Sequence, residues 1–406
     1  MKRIVAMVAL ALAAGASAVE PQESVAGKQA TVVKTGLANF LQTPPAFIQG
    51  KRIGLITNHS GRDEQGRSTA DLLYEMKGVK LVALFAPEHG IRGDNQYGDR
   101  DAMTGLPIHT LFGGTSRPTP EMLKDVDVLV YDIQDIGVRQ YTFESTMALG
   151  MQAAAEKGIP YIVLDRPNPI SGNIVEGNLT DPGMLSFVGI YPVASRHGMT
   201  IGELARMYNA EQKIGANLTV IPMTGWQRSM WWDQTGLSWI NPSPNIRRIE
   251  AEVIYPGSVF FEGVNVSEGR GTPLPLEQVG ASWLKNVEIA EAMNAMMLPG
   301  VRFDALDFAI DSTSRRKYGG QTVKGIRFIV TDRETFRPIR SAFLLIDQIK
   351  RTHPTEFQWG GSIDRLSGSD QVRKAIDAGT LPELLRAWDA DAARFMKMRE
   401  PYLIYR

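Results

Sequence analysis

Residues 84–94, LFAPEHGIRGD, begin as an apolar strand and turn polar within a few residues. The polar part offers a carboxylate at Glu88, an imidazole at His89, a guanidinium at Arg92 and a second carboxylate at Asp94. Acids and bases crowded at one strand end suit proton transfer or capture of a charged ligand. Three other apolar runs end the same way. RIGLIT is followed by Asn58 and His59. DVLVYD ends on Asp132 and leads to Gln134, Asp135, Arg139, Tyr141 and Glu144. YIVLD ends on Asp165 and leads to Arg166, Asn168 and Glu176. Each residue alone has a structural explanation: an acid after a strand caps the next helix or pairs with a nearby arginine. Glu144 stands where a helix begins, the end that acids favour. Four polar, Gly/Pro-punctuated loops in succession nevertheless read as one shared site.

Elimination narrows the chemistry. The loop after the first strand, TNHSGRDEQG, lacks G-x-G-x-x-G, and no G-x-x-x-x-G-K-[ST] occurs, so neither nucleotide fingerprint is present. The nucleophile elbow G-x-S-x-G is absent, and without cysteine there is no thiol catalysis. The five histidines (59, 89, 109, 197 and 353) form no H-E-x-x-H pair, and their spacing gives no support to a metal site. No metal or other cofactor is expected. Carboxylates remain, and a protonated and an ionised carboxyl group are the usual equipment for cleaving a glycosidic bond. A further loop, FFEGVNVSEGRGTPLPLE, adds Glu262, Asn265, Glu268 and Arg270. Its glycines could cradle phosphate, but acids interrupt it and it contains no lysine. Upstream, Trp226, Trp231, Trp232 and Trp239 fall close together. Tryptophan faces stack on the C–H faces of sugars, although core packing also explains them. Arg196 and His197, in SRHG, precede a helix start that can face the same cleft.

These residues need a scaffold. The short runs RIGLIT, KLVALFA, DVLVYD, YIVLD and LTVIPM are apolar without alternation, as strands buried on both faces are. Between them lie helical patterns. STADLLYEM can be capped by Ser68 or Thr69. FESTMALGMQAAAEKG stops at Gly158. TIGELARMYNAEQKIG opens with a capping box, Thr200 and Glu203, and runs to Gly215. Strands alternating with helices predict an α/β fold: a Rossmann-like, doubly wound parallel sheet in a domain spanning 31–248. Ligands bind such sheets beyond the carboxyl ends of the strands. The pattern then changes. AEVIYPGSVFFEG reads as strand, EQVGASWLKNVEIAEAMNAM as helix, VRFDALDFAI and VKGIRFIVTD as strands, and the remainder as mostly helix. Residues 249–406 are therefore expected to form a smaller α+β C-terminal domain, joined through INPSPNIRR.

The first eighteen residues have a basic start, a short apolar stretch and a small-residue ASA ending, which reads as a cleavable signal peptide. Residues 19–30 read as a flexible leader. The apolar stretch is too short to span a bilayer, and the cysteine that a lipid anchor would need is missing. The expected location is periplasmic or secreted, with no membrane attachment after signal removal. Lys+Arg and Asp+Glu both number 44 in 406 residues, so no electrostatic signature points to nucleic acid, and no nucleic-acid partner is expected. Oligomeric state is not legible.

Taken together, APEHGIRG, YDIQDIGVRQYTFEST, LDRPNPISG, HGMTIGELA, PSPN and FEGVNVSEGRGT resemble the NamZ-type exo-β-N-acetylmuramidases of peptidoglycan recycling. The likeness runs in order from about residue 50 to the C-terminus. It implies a site in the cleft between a Rossmann-like domain and a smaller one, and release of N-acetylmuramic acid from non-reducing ends of peptidoglycan-derived saccharides. It implies Glu88 as the acid that protonates the leaving oxygen. Its partner is expected in Glu176, then Glu144 or Glu268. The lactyl carboxylate of the sugar calls for arginine, and Arg92, Arg139, Arg166 and Arg270 are available. His89, Asp132, Tyr141, Asn168, His197, Asn245 and Glu268 complete the expected substrate contacts. One departure is NIRRIE after PSP, where the family pattern leads one to expect Asn-Ile/Met-Pro, so Arg247 stands at the cleft edge. A periplasmic sugar-binding protein without catalysis, and a metal-dependent hydrolase built on His89, His197 and nearby aspartates, remain as alternatives.

Overall fold

The structure is a computed structural model that describes residues 32–93 and 98–406. The expected signal peptide and leader, and Asp94, lie outside the described residues. Residues 31–406 form one compact unit.

Six strands build the main sheet: β1 (Arg52–Thr57), β2 (Lys80–Ala86), β3 (Ile108–Thr110), β4 (Val128–Asp132), β5 (Tyr161–Leu164) and, after the short pair β6 (Glu176–Leu179) and β7 (Ala194–Arg196), β8 (Leu218–Ile221). They lie in the order β3-β2-β1-β4-β5-β8, and every neighbouring pair is parallel. β1, β4 and β5 are buried almost throughout, which explains their unbroken apolar runs. The order reverses between β1 and β4. That switch point opens a crevice beyond their carboxyl ends.

The helices follow from their caps. α1 (Gly36–Gln42) starts at Thr35, whose hydroxyl accepts from Ala38 N–H. α2 (Thr69–Glu75) is capped by Ser68. α3 (Phe143–Lys157) ends at Gly158 in the left-handed conformation that glycine adopts without strain. α4 (Ile201–Glu211) has the Thr200–Glu203 capping box but stops before Gly215.

One expectation was wrong. AEVIYPGSVFFEG is not a strand but α5 (Ile249–Ser258) continued by a single 3₁₀ segment, Val259–Gly263. Its β-branched and aromatic content suggested a strand, and Pro256 argued against a helix interior. Packing overrides both. α5 is buried along most of its length and crosses α7 (Pro338–Thr352). A second difference lies in EQVGASWLKNVEIAEAMNAM, which opens as strand β9 (Gln278–Ala281) before α6 (Asn286–Ala295). β9 pairs antiparallel with β11 (Thr322–Val330), which pairs with β10 (Val301–Ala309). α8 (Ile363–Ser367), α9 (Gln371–Ala378) and α10 (Leu381–Arg399) complete a smaller C-terminal domain on an antiparallel sheet.

The α5–α7 crossing is close enough to require glycine. A Cβ on Gly257 would lie 2.1 Å from the Pro338 carbonyl oxygen and 3.0 Å from the Ala342 side chain. Gly257→Ala is therefore expected to destabilise the protein by about 1–3 kcal/mol, the usual range for overpacking, measured as a lowered urea midpoint at unchanged slope. An unchanged midpoint would mean that the two helices separate freely.

Candidate functional site

Two cavities open at the carboxyl edge of the parallel sheet. The smaller encloses about 430 Å³ and draws residues from both parts of the chain. The loop after β2 gives Glu88 and His89. The loop before α3 gives Gln140, Tyr141 and Thr142. The linker gives Ser243 and Asn245. From the C-terminal side come Tyr255, Val259, Glu262, Arg270, Arg316 and Arg365. Five expected site residues thus meet here: Glu88, His89, Tyr141, Asn245 and Arg270.

Glu88 is half-buried, and its Oε2 accepts a 3.0 Å hydrogen bond from the Thr142 hydroxyl. His89 holds φ 75°, a region that non-glycine side chains avoid and that recurs at functional sites. Glu262 is the other carboxylate lining this cavity among the described residues. It lies 2.6 Å from Arg270, which also pairs with Glu268 at 3.1 Å; Glu268 in turn meets Lys317 at 3.2 Å. These cations hold the Glu268 carboxyl below its usual range despite burial, which acts in the opposite direction. Glu268 therefore stands behind Arg270 and steadies it. Tyr255, Val259 and Glu262 share one helical face, at i, i+4 and i+7. The mistaken strand assignment concealed that face. Arg316 and Arg365 are exposed, and among the described residues neither guanidinium has an ion pair or hydrogen bond.

The other expected residues lie elsewhere. Glu176 lines a separate cavity of about 270 Å³, where its Oε1 accepts from Arg340 N–H at 2.9 Å and caps α7. Arg92 makes a bidentate pair with Asp101 and another with Asp71. Arg139 is fully buried and donates to the Ser367 and Val188 carbonyls, so it ties loops together rather than reaching a ligand. Asn168 bridges Ile170 N–H and the Met199 carbonyl. Asp132 and Arg166 form a buried pair, and Arg166 lines the larger cavity, of about 670 Å³.

Glu144 and His197 are fully buried and line neither the 430 Å³ nor the 670 Å³ cavity. His197 Nδ1 accepts from Met199 N–H, which leaves the ring proton on Nε2, 3.8 Å from both Asp135 and Glu144. Burial and the Arg399 and Arg196 charges push this imidazole down to about 3. Burial likewise pushes Asp135 up to about 7 and raises Glu144, which lies beside Tyr208, and Glu252, neither of whose carboxyl oxygens has a hydrogen-bond partner. The described residues contain no group of three His, Asp or Glu that could share a metal ion. No described helix is long and apolar enough to cross a membrane.

A carboxyl raised by folding contributes stability that is present below its unfolded pKa and lost as pH climbs toward its folded one. For Asp135 that window runs from about 4 to about 7. The wild-type protein is expected to lose stability across it, by up to about 4 kcal/mol from this group. Asp135→Asn keeps the acceptor for Gly137 N–H and removes the titration. Urea unfolding at pH 4.5 and 7.5 should therefore show a smaller difference in the variant; an equal difference would remove Asp135 from the cause.

Comparison with known proteins bears on what this geometry serves. Residues 53–250 match the family model described as exo-beta-N-acetylmuramidase NamZ, N-terminal, and residues 253–405 match its C-terminal counterpart. The peptidoglycan beta-N-acetylmuramidase NamZ of Bacillus subtilis (strain 168) is 45% identical over 381 residues, 92% of this chain and 91% of that protein. Two solved structures of DUF1343 family proteins from Bacteroides fragilis NCTC 9343 share the fold. One has TM-score 0.87 at 37% identity and the other 0.73 at 31%, each covering 92% of this chain and 99% of its own. The chain belongs to the NamZ exo-β-N-acetylmuramidase family.

Proposed function

We propose that the 430 Å³ cavity receives N-acetylmuramic acid at the non-reducing end of a peptidoglycan glycan and that the protein hydrolyses the β-glycosidic bond behind it. The observation that carries this reading is the cavity's charge pattern. Two carboxylates, Glu88 and Glu262, share it with three arginines, 270, 316 and 365. Two carboxyl groups serve bond cleavage, and the uncommitted guanidinium groups suit the lactyl carboxylate that distinguishes muramic acid from its neighbouring sugar.

In this mechanism Glu88 is the general acid. Thr142 fixes its Oε2, and the half-buried position lets it reach both the leaving oxygen and water. Glu262, held by Arg270, is the second carboxylate. It acts on the opposite side of the anomeric carbon, directly on that carbon, through water, or by orienting the 2-acetamido group. Residues 31–248 and 249–406 act as two lobes, and their joint enclosure of the cavity suits removal of one terminal sugar at a time. The first eighteen residues, read as an export signal, would deliver the enzyme to its wall substrate.

Glu88→Gln is expected to reduce turnover of an aryl β-N-acetylmuramide by about 10²–10⁴-fold, the usual contribution of a placed acid, with unchanged unfolding and circular dichroism. Turnover equal to wild type would exclude Glu88 from proton transfer. Arg316→Ala and Arg365→Ala are each expected to raise KM for the muramide by roughly tenfold, the scale of one charge-assisted hydrogen bond. Inhibition by N-acetylglucosamine, which lacks the lactyl group, should not change. Equal losses with both sugars would place the lactyl contact elsewhere.

A further inference from the structure

The lining of the smaller cavity divides by exposure. Arg316 and Arg365 are exposed, whereas Ile246, Val259 and Leu276 are at most 2% exposed. These three apolar side chains belong to the close-packed core, so they cannot move aside for a larger guest. A muramic acid is polar around its ring. Its lactyl carboxylate is drawn to the exposed guanidinium groups, and the lactyl methyl stays beside that carboxylate. The methyl of the 2-acetamido group is the apolar part left for the buried residues.

Leu276 is held in place under backbone strain. Its φ is 69°, a region that bulky side chains avoid, and it has no polar group to bond its own backbone there. Of the six described non-glycine residues at positive φ, two line this cavity, His89 and Leu276. Contacts on both sides fix the leucine. Its N–H donates to the Glu268 carbonyl at 2.8 Å, and the Glu268 carboxylate is held by Arg270 and Lys317. Next along the chain, Glu277 pairs with Arg248, and its carbonyl accepts from Phe328 N–H at 3.0 Å. The same loop uses glycine for positive φ at Gly269 and Gly271. At 276 it carries a leucine instead, and that side chain lines the cavity. Strain that the surroundings over-determine clusters at ligand sites.

Polar atoms in the same lining complement this. Among the described lining residues, two buried donors have no hydrogen-bond partner, the Tyr141 hydroxyl and Arg270 Nε. Either suits the acyl carbonyl, which every N-acyl sugar has. The donors therefore recognise an amide, and the apolar residues select which amide. A hydroxyl added to the acyl methyl would be buried against Leu276, Val259 and Ile246 unpaired, and an added methylene would overpack them.

We propose that Leu276, with Val259 and Ile246, sets the acyl-group specificity of the site, admitting N-acetyl and excluding hydroxylated or longer acyl groups. The proposal rests on the muramidase reading of this cavity and narrows its substrate class. Wild-type kcat/KM is expected to be about tenfold to a hundredfold lower for aryl β-N-glycolylmuramide and aryl β-N-propionylmuramide than for the N-acetyl compound, the scale on which an apolar pocket rejects a hydroxyl or a methylene. Leu276→Gly removes the side chain and suits the φ of 69°. It is expected to raise the N-propionyl to N-acetyl ratio about tenfold, and Val259→Ala to raise it severalfold. A purely structural loss would lower all substrates alike and leave the ratio unmoved. Wild-type values within twofold for all three compounds would overturn the proposal and leave the muramidase reading intact. Ratios unmoved in both variants would do the same, and Val259→Ala decides alone if Leu276→Gly does not fold. Wild-type protein that cleaves none of the three would overturn both.

Discussion

The carboxyl edge of the parallel sheet is organised by one buried ion pair. Asp132 ends β4 at 0% exposure, and Arg166 follows β5 at 5%. Removing both from water costs several kcal/mol per ion unless nearly every lone pair and proton is satisfied. Here they are. Asp132 Oδ1 accepts from Arg166 Nε at 2.5 Å, and Oδ2 accepts from Arg166 Nη2 at 2.8 Å and from the Thr69 hydroxyl at 2.5 Å. Arg166 Nη2 also donates to the Arg62 carbonyl at 3.0 Å. The pair therefore fixes three separate loops, after β1, β4 and β5, at the point where the strand order reverses. Loss of either partner would leave an unpaired charge in the interior, so this interaction holds the walls of the larger cavity in register.

The smaller cavity depends on a different constraint, the junction of the sheet with the C-terminal part. Gln140 donates to the Leu366 carbonyl and to Ser195, while Arg139 beside it reaches the Ser367 carbonyl. Tyr141 and Thr142 follow directly and line the cavity. Burial pulls the Arg139 guanidinium down to about 10, yet it remains a cation used to bind carbonyls. Its guanidinium is thus engaged with the Ser367 and Val188 carbonyls. The chain uses it to set the height of Tyr141 and Thr142, and through Thr142 the orientation of Glu88.

Much of this architecture was legible because local and global signals agree. Unbroken apolar runs reported doubly covered strands, and Ser68, Thr200 and Gly158 reported helix ends. The gathering of Glu88, His89 and Tyr141 followed from their shared position at strand ends. Sequence could not separate the residues that face outward at such an edge from those that brace it, because both types are polar and adjacent. Asp132, Arg139, Arg166 and Asn168 stand at the same sheet edge as Tyr141 and Thr142 and differ from them only in which way they point. Glu176 looked equivalent to Glu88, but its strand runs to another surface and its carboxyl caps α7. Arg316 and Arg365 left no signal, since solitary arginines in polar loops are common. The α5 segment misled through composition alone: the helical spacing of Tyr255, Val259 and Glu262 was present, but Val, Ile, Tyr and Phe outweighed it.

Burial by itself is a poor guide to the catalytic carboxyl in this fold. Glu144, Glu252, Asp135 and Asp165 are the most strongly raised carboxyl groups, and displaced titration alone would single them out first. None lines either large cavity. With 0% exposure, Glu144 and Glu252 have no path to a leaving group and none to water for the return of the proton. A general acid needs contact with the reacting atom first and a tuned affinity second. Glu88, unlike these buried acids, lines the smaller cavity. It follows a buried strand, is oriented by one hydroxyl, and precedes a histidine held at φ 75°. That backbone conformation makes the turn that presents Glu88 to the cavity, and its cost is offset by the rigid sheet beneath it.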